Sequence, residues 1–377
     1  MRNICKNNTV LLILAAVWMV FSCNRVDYSS KYYMTLDTIS YVTKFPNTYK
    51  LENSLDVGTD VIGYHNFKIF DSLLIFATND NEGFWSFVSL ADKRTLGQFL
   101  RRGQGPNEFL FSPSLQTRAN FFSDNGKQYI AIYDCQRGKV YKMDIDESLK
   151  TGKLSMSTMK ESAPRFLFNF VRLDADRFLC RTLDSTRTQQ PRYIMNSQQN
   201  ESNPVLEKLN RAKVHVCLNP AYYFNIISAI IKYNQERDLV VEVPTMLNYL
   251  NLYSIDGSFE KTICIGKKLN SIEKIETLHL PDLVTTFYDL RLYDNFLGVV
   301  FVNETEMALQ VTGRTKFPSI FLFDWEGNPL AELKLDRHLT SFDIDFSTGF
   351  LYGLDKISEE FFRYDIRHIL RKIHSTY

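Results

Sequence analysis

The segments Leu252-Tyr253-Ser254-Ile255-Asp256-Gly257-Ser258 and Leu322-Phe323-Asp324-Trp325-Glu326-Gly327-Asn328 follow one plan. Each runs an apolar strand into an acidic-glycine turn and out into a second strand, and weaker copies recur along the chain. A strand–turn–strand unit repeated at roughly fifty-residue spacing is the mark of a β-propeller blade. Composition points the same way. The 29 Phe and 20 Tyr among 377 residues suit pleated, half-buried surfaces better than helices.

Six units can be traced. The first has strands near 61–69, 73–77, 84–90 and 95–100, and the second near 128–133 and 139–143. The third has 166–173 and 178–183; the fourth has 225–233, 239–243, 249–254 and 260–265. The fifth runs 285–293, 296–302, 319–323 and 330–335, and the sixth 339–345, 350–354 and 360–364. The breaks use Asp, Asn or Gly, which tolerate left-handed backbone or hydrogen-bond their own main chain in tight hairpins. Short runs between such breaks, without a sustained helical period, predict an all-β chain. Helices are expected only at 271–280 and 366–373. The sixth unit supplies three strands, and an open blade edge invites aggregation. Residues 39–51 read as the donor of its missing outer strand. The expectation is a single six-bladed β-propeller over 39–377, closed by an N-terminal strand, with irregular inserts at 150–164, 184–192, 266–282 and 303–317.

The first residues read as an address. Arg2 and Lys6 precede an apolar run over 10–21, the length of a signal-peptide core and too short for a membrane span. The run ends Val20-Phe21-Ser22-Cys23, which resembles a bacterial lipobox. That implies a signal peptide over 1–22, acylation at Cys23 and a polar tether over 23–38. Cys135, Cys180, Cys217 and Cys264 fall in separate units and read as small buried apolar residues, since a disulfide needs Cα atoms within about 7 Å. The 44 basic and 43 acidic residues are dispersed, with no basic stripe for nucleic acid.

With these units in view, the chain resembles the six-bladed, TolB-like β-propeller lipoproteins of Bacteroides-type bacteria. Three features carry the likeness: the lipobox start, the run Arg101-Arg102-Gly103-Gln104-Gly105-Pro106-Asn107-Glu108-Phe109, and the C-terminal pattern of 321–335, 341–345 and Leu351-Tyr352-Gly353-Leu354. The second resembles that family's G-x-G-P-x-E-aromatic loop between the first two blades. The resemblance implies fold and envelope location rather than an activity. No acid-rich export stretch follows Cys23 (Asn24-Arg25-Val26-Asp27), so the expected place is the outer membrane, facing the periplasm.

The best local candidate for a ligand is the loop of Arg101, Arg102, Gly103, Gln104, Gly105, Asn107 and Glu108. Its glycines permit positive φ and a nest of amides for an anion, reinforced by the arginines. The structural alternative is a crossover in which Pro106 fixes φ and Glu108 caps the turn or pairs an arginine. Six-bladed lactonases hold calcium with channel acids and amides, and Asn169, Asn225, Asp289 and Asp343 could occupy such positions here. A one-residue register error would turn all four away from the channel. Tyr222-Tyr223-Phe224 and Phe84-Trp85 could form an aromatic platform or pack between blades. The histidines show no metal spacing, and no serine sits in a nucleophile elbow. The sequence therefore predicts a lipid-anchored propeller that binds an envelope protein or small ligand as a scaffold or sensor. It predicts no cofactor, and membrane contact through the lipid alone. The alternative is a calcium-dependent hydrolase or lyase of the lactonase type.

Overall fold

The computed structural model describes residues 32–184, 189–196, 200–201, 203–214, 226–310, 313–314 and 316–374. Three short strands come first: β1 (Ile39–Val42), β2 (Thr48–Leu51) and β3 (Leu55–Asp56). Six antiparallel units then follow in chain order. Blade one is β4 (Tyr64–Phe70), β5 (Leu73–Thr78), β6 (Trp85–Ser89) and β7 (Thr95–Phe99). Blade two is β8 (Ala119–Asp124), β9 (Lys127–Asp134), β10 (Lys139–Asp144) and β11 (Met156–Lys160). Blade three is β12 (Asn169–Arg172), β13 (Phe178–Arg181), β14 (Arg192–Met195) and β15 (Asn200–Glu201). Blade four is β16 (Ala229–Asn234), β17 (Leu239–Pro244), β18 (Tyr249–Ser254) and β19 (Glu260–Ile265). Blade five is β20 (Val284–Leu292), β21 (Leu297–Thr305), β22 (Ser319–Phe323) and β23 (Pro329–Leu335). Blade six is β24 (Ser341–Asp345), β25 (Phe350–Asp355) and β26 (Glu360–Asp365).

The blades close into a ring through six apolar clusters, one between each neighbouring pair. This explains why β5 and β18 are buried along their whole length. A strand with a blade on either side has no solvent face, so its sequence runs apolar instead of alternating. Phe67, Phe76, Tyr352 and Phe361 seal the first blade against the last. Phe361 meets Phe67 and Phe76 edge-on, each with centroids 5.1 Å apart, and stacks on Tyr352.

An N-terminal strand closes blade six as expected, but other residues supply it. Residues 39–51 do not complete blade six. They form two separate strands, and each lies parallel on the outer edge of a blade that already has four. Ile39–Val42 pairs with Thr262–Ile265 of β19, and Thr48–Leu51 with Glu332–Leu335 of β23. The missing strand of blade six is β3, whose Leu55 and Asp56 face Arg363 and Phe362 in antiparallel register. The N-terminal chain is thus a strap along blades four, five and six before it enters blade one. Its apolar side chains enter the clusters beneath: Met34 and Leu36 between blades three and four, Val42 and Phe45 between four and five, and Leu51 between five and six. Two residues of β3 carry too little pattern to be read as a strand, whereas 39–51 has one and was the stronger signal.

Five helices fill connections among the described residues: α1 (Ile145–Thr151), α2 (Pro204–Asn210), α3 (Ile272–Glu276), α4 (Glu306–Gln310) and α5 (Arg367–His374). Ser271 caps α3 and accepts from the Lys274 amide, within the helix expected at 271–280; α5 matches the one expected at 366–373. The insert expected at 150–164 contains instead the end of α1, capped by Asp144 and the left-handed Gly152, and then the strand β11. Cys135, Cys180 and Cys264 are free thiols and buried, as small apolar residues would be, and Cys217 lies outside the described residues. So do the expected signal segment and Cys23. No described helix is long and apolar enough to cross a membrane.

Candidate functional site

Because each blade is an antiparallel meander, loops alternate between the two faces of the ring. The first-to-second-strand hairpins lie on one face. The second-to-third-strand loops and the blade-to-blade crossovers lie on the other. Both faces carry residues singled out by the sequence, with different outcomes.

The loop at 101–108 lies on the crossover face. Neither Gly103 nor Gly105 adopts positive φ. They leave room for a carboxylate instead: a Cβ on Gly103 would stand 1.9 Å from the Glu108 Oε2 atom. That oxygen accepts from the Gly105 amide at 2.8 Å, so the loop's own carboxylate fills the cradle. Arg137, from the β9–β10 turn, donates to the carbonyls of Gln104 and Gly105 at 3.0 and 2.9 Å and also to that of Glu108. Arg101 pairs with Glu82 at 2.9 Å, Arg102 lies over the Phe84 ring, and Asn107 is exposed. The geometry is that of a crossover clamp between blades one and two.

The hairpin face holds a basin at the ring's axis. The inner strands β4, β8, β12, β16, β20 and β24 surround it. Its floor is a network around Asp289 and Arg291. Asp289 accepts from Gln116 Nε2 at 2.9 Å, reaching across from blade two, and from the Phe342 amide at 3.2 Å. It also pairs with Arg291 at 2.9 Å. Arg291 donates Nε to the Phe342 carbonyl and Nη2 to the Phe67 carbonyl, at 2.6 and 2.8 Å. Asp343 accepts from the Ile69 amide at 2.9 Å and from the Tyr293 hydroxyl at 3.1 Å. Gln116, Asp289, Arg291, Tyr293 and Asp343 each have a partner, which is the condition for such a network to hold blades in register.

Above the floor opens a cavity of about 740 Å³ lined by Lys68, Asn120, Phe122, Arg172, Lys232 and Arg291 among others. Its lining holds four cations, Lys68, Arg172, Lys232 and Arg291, against one carboxylate, Glu236 on the exposed rim. Only Arg291 is fully matched. Lys68 lies 3.9 Å from Asp343, at the limit of an ion pair. Arg172 stacks over the Phe122 ring at 4.0 Å, and its buried Nε has no hydrogen-bond partner. Lys232 makes no ion pair among the described residues. Burial, then repulsion from Arg291 and Lys68, pulls its ammonium down to about 7, with Asp289 and Asp343 opposing. Burial also lowers Lys68. Positive charge held in a partly dehydrated concavity attracts anions. A unit pair at 4 Å is worth about 4 kcal/mol at an effective dielectric near 20, and low-dielectric walls focus the field. Phe121, Phe122 and Tyr233 add apolar and π surface on the same walls.

The calcium candidates do not fit a metal. Asp289 and Asp343 face the axis, but both carboxylates are engaged by cations and amides. Asn169 instead donates to the Ala229 carbonyl at 3.0 Å between blades three and four. Asn225 lies outside the described residues, as do Tyr222, Tyr223 and Phe224. Calcium requires six to eight oxygen ligands, and among the described residues no three His, Cys, Asp or Glu side chains converge. Phe84 and Trp85 are fully buried and form no platform, the Trp85 indole donating to the Pro113 carbonyl.

The chain combines six meanders in one ring, a strap that closes it and a basic axial basin. Residues 61–347 match the model of the TolB-like 6-blade propeller-like family. The chain belongs to that family. Among solved structures, this TolB-like propeller is similar to a member of the DUF4221 family from Bacteroides vulgatus, at 11% identity and a TM-score of 0.53. The match covers 84% of this chain and 96% of that one. The hydrazine synthase of Kuenenia stuttgartiensis also aligns, at 10% identity and a TM-score of 0.43, over 85% of this chain and 81% of that one. No curated protein sequence matches. The likeness is one of fold.

Lys68, Arg172, Lys232 and Arg291 were not singled out by the sequence, yet a signal exists. Each stands two or three positions before the hairpin turn that ends its inner strand: Asp71, Asp174, Asn234 and Asp294. Aligning the units on those turns brings the four basic residues to within one position of each other. Read singly, each is an ordinary lysine or arginine near a turn.

Proposed function

We propose that this TolB-like propeller is an exported, lipid-anchored binding protein that captures an anionic ligand at the axial basin. The observation that carries the reading is the cluster of Lys68, Arg172 and Lys232 around one cavity, whose lining holds a single carboxylate, on its rim. The ligand class is a carboxylate or phosphate attached to a flat or apolar body, since Phe121, Phe122 and Tyr233 stand beside the charges. The propeller acts as a scaffold or sensor and presents this basin towards the periplasm.

Citrate and inorganic phosphate serve as probes. Wild type is expected to gain thermal stability with either anion, by the linkage of binding to folding. The Arg172→Met/Lys232→Met variant should lose at least about tenfold in affinity, which corresponds to roughly 1.4 kcal/mol. Binding should also weaken as pH rises through about 7. The sign follows from Lys232: it is charged, and attractive, below that pH and neutral above it. Calorimetric titration between pH 6 and 8.5 measures both effects. Equal affinity in wild type and variant would remove the basin as the site.

The anchor rests on Val20-Phe21-Ser22-Cys23 behind a charged and then apolar leader. Cys23→Ala should abolish acyl labelling and release the protein from the membrane fraction. Unchanged retention would refute acylation at this cysteine.

A further inference from the structure

Exposed apolar side chains are not spread evenly over the ring. Of the twelve large ones among the described residues, Tyr41 and Leu55 lie on the outer strap and Phe346 on a hairpin turn. The other nine all lie on crossovers or second-to-third-strand loops, and so on one face. Ile62 is 84% exposed, Phe166 60%, Phe111 58% and Phe317 56%. Single exposed apolar residues are ordinary, but segregation of this kind marks an interaction surface. The face opposite holds the basic basin.

The path of the N-terminal chain indicates what covers this face. Tyr32 accepts from the Ile272 amide at 2.8 Å, and Ile272 begins α3 in the crossover from blade four to blade five. Met34 donates its amide to the hydroxyl of Tyr249, the first residue of β18, at 3.0 Å. Strand β18 enters from the crossover face, so the described chain begins on that same face. From residue 23 to residue 32 the chain reaches at most about 30 Å fully extended. An anchor at Cys23 therefore holds the crossover face within that distance of a bilayer.

We propose that the crossover face is a membrane-docking surface, on which Ile62, Phe111, Phe166, Leu280, Phe317 and Ile357 insert among lipid headgroups while the anionic-ligand basin points into the aqueous space. The occupant is a lipid bilayer. The inference rests on anchoring through Cys23. Its physical basis is that apolar side chains gain by entering the headgroup–acyl boundary, about 5–10 Å deep, once a tether has removed most of the translational cost of reaching it.

The experiment uses the chain from Cys23 to Tyr377, coupled through Cys23 to a maleimide lipid in phosphatidylethanolamine–phosphatidylglycerol vesicles containing brominated acyl chains. Phe111→Trp, Phe166→Trp and Phe317→Trp report on the crossover face, and Phe346→Trp on the hairpin face. Bromolipid quenching is expected to be several-fold stronger for the first three than for Phe346→Trp. Equal quenching at all four, stronger quenching of Phe346→Trp, or none at any would overturn the docking face. The mass of the N-terminal peptide from cells reads acylation separately. An unmodified Cys23 there would remove the natural anchor, while the vesicle result still decides whether the face docks.

Discussion

A chain that begins at Gly58, without the strap, is expected to lose the soluble monomeric ring. The strap does two physical jobs. Leu55 and Asp56 cover the edge of β26, and the Val57 amide continues the ladder to the Phe361 carbonyl at 2.9 Å. Without them blade six presents a bare edge, with the apolar alternation of Phe362 and Tyr364 behind it. An unpaired strand edge of this kind templates pairing between chains. The strap also buries Met34, Leu36, Val42, Phe45 and Leu51, none more than 7% exposed. Phe45 stacks on Phe321 with centroids 4.5 Å apart. Each such side chain contributes about 1.5–3 kcal/mol on transfer from water, against a net stability of roughly 5–15 kcal/mol for a domain. A series of starts separates the two jobs. A chain from residue 38 should fold with a lowered melting temperature, because it forfeits Met34 and Leu36 alone. A chain from residue 47 should be weaker again, without β1 and Phe45. A chain from residue 58 should be found in inclusion bodies or as soluble oligomers. Soluble yield, size-exclusion elution and thermal melts measure the series. A monomeric chain from residue 58 that melts cooperatively near the wild-type temperature would show that the strap is dispensable.

The same strap shows where sequence reasoning reaches and where it stops. The blade hairpins were legible because their turns need Asp, Asn or Gly at fixed places, as at Asp256-Gly257 and Glu326-Gly327, where both glycines take φ of +77°. That chemistry is local and so is its signal. Pairing is not local. Nothing within 39–51 says that β1 will lie parallel on β19, more than two hundred positions away, or that β3 will find β26. The basin was hidden for the same reason: its cations come from four blades, and only ring closure brings them within one cavity. The residues of the 101–108 loop admit two readings, an anion cradle or a crossover, and the geometry is that of the crossover clamp. A glycine-rich run beside arginines looks like an open anion cradle, and whether it is open depends on where the Glu108 carboxylate rests.

The position of the basin also bears on why the axis is built as it is. Gln116, Asp289, Arg291 and Asp343 tie blades one, two, five and six together beneath the cavity. Blades three and four are joined by the Asn169 amide to the Ala229 carbonyl, and blades two and three by Asn120 to the Phe170 carbonyl. A floor stitched in this way holds Lys68, Arg172 and Lys232 at fixed separations despite their mutual repulsion. Preorganisation of that kind lets an anion bind without first gathering the charges.

A second buried ionic group, between blades three and four, is expected to give the largest single-residue effect. Glu242 is fully buried on β17 and accepts from Arg192 Nε at 2.7 and 3.0 Å and from Nη2. Burial alone would raise its carboxyl, but Arg192 outweighs that and holds it below the ordinary value. The stability Glu242 supplies is therefore present above pH 4.5 and is lost as pH falls through its depressed folded value. Arg181 is fully buried in the same group, with Nε and Nη2 lacking hydrogen-bond partners. Burial, and then Arg192, lowers its guanidinium to about 9. Two cations thus share one carboxylate. Glu242→Ala would leave both uncompensated and should cost about 3–5 kcal/mol, the range for breaking a buried pair from one side. Arg181→Met should behave oppositely. It removes the surplus charge and its unmet donors while keeping most of the volume, so the change should be near neutral or stabilising. Introduced into Glu242→Ala, it should recover part of the loss, because only Arg192 then lacks a counter-charge. Urea unfolding of the three variants at pH 7.5 measures the coupling as a double-mutant cycle. If Arg181→Met alone costs as much as Glu242→Ala, Arg181 is an integral partner of the group and not its excess charge.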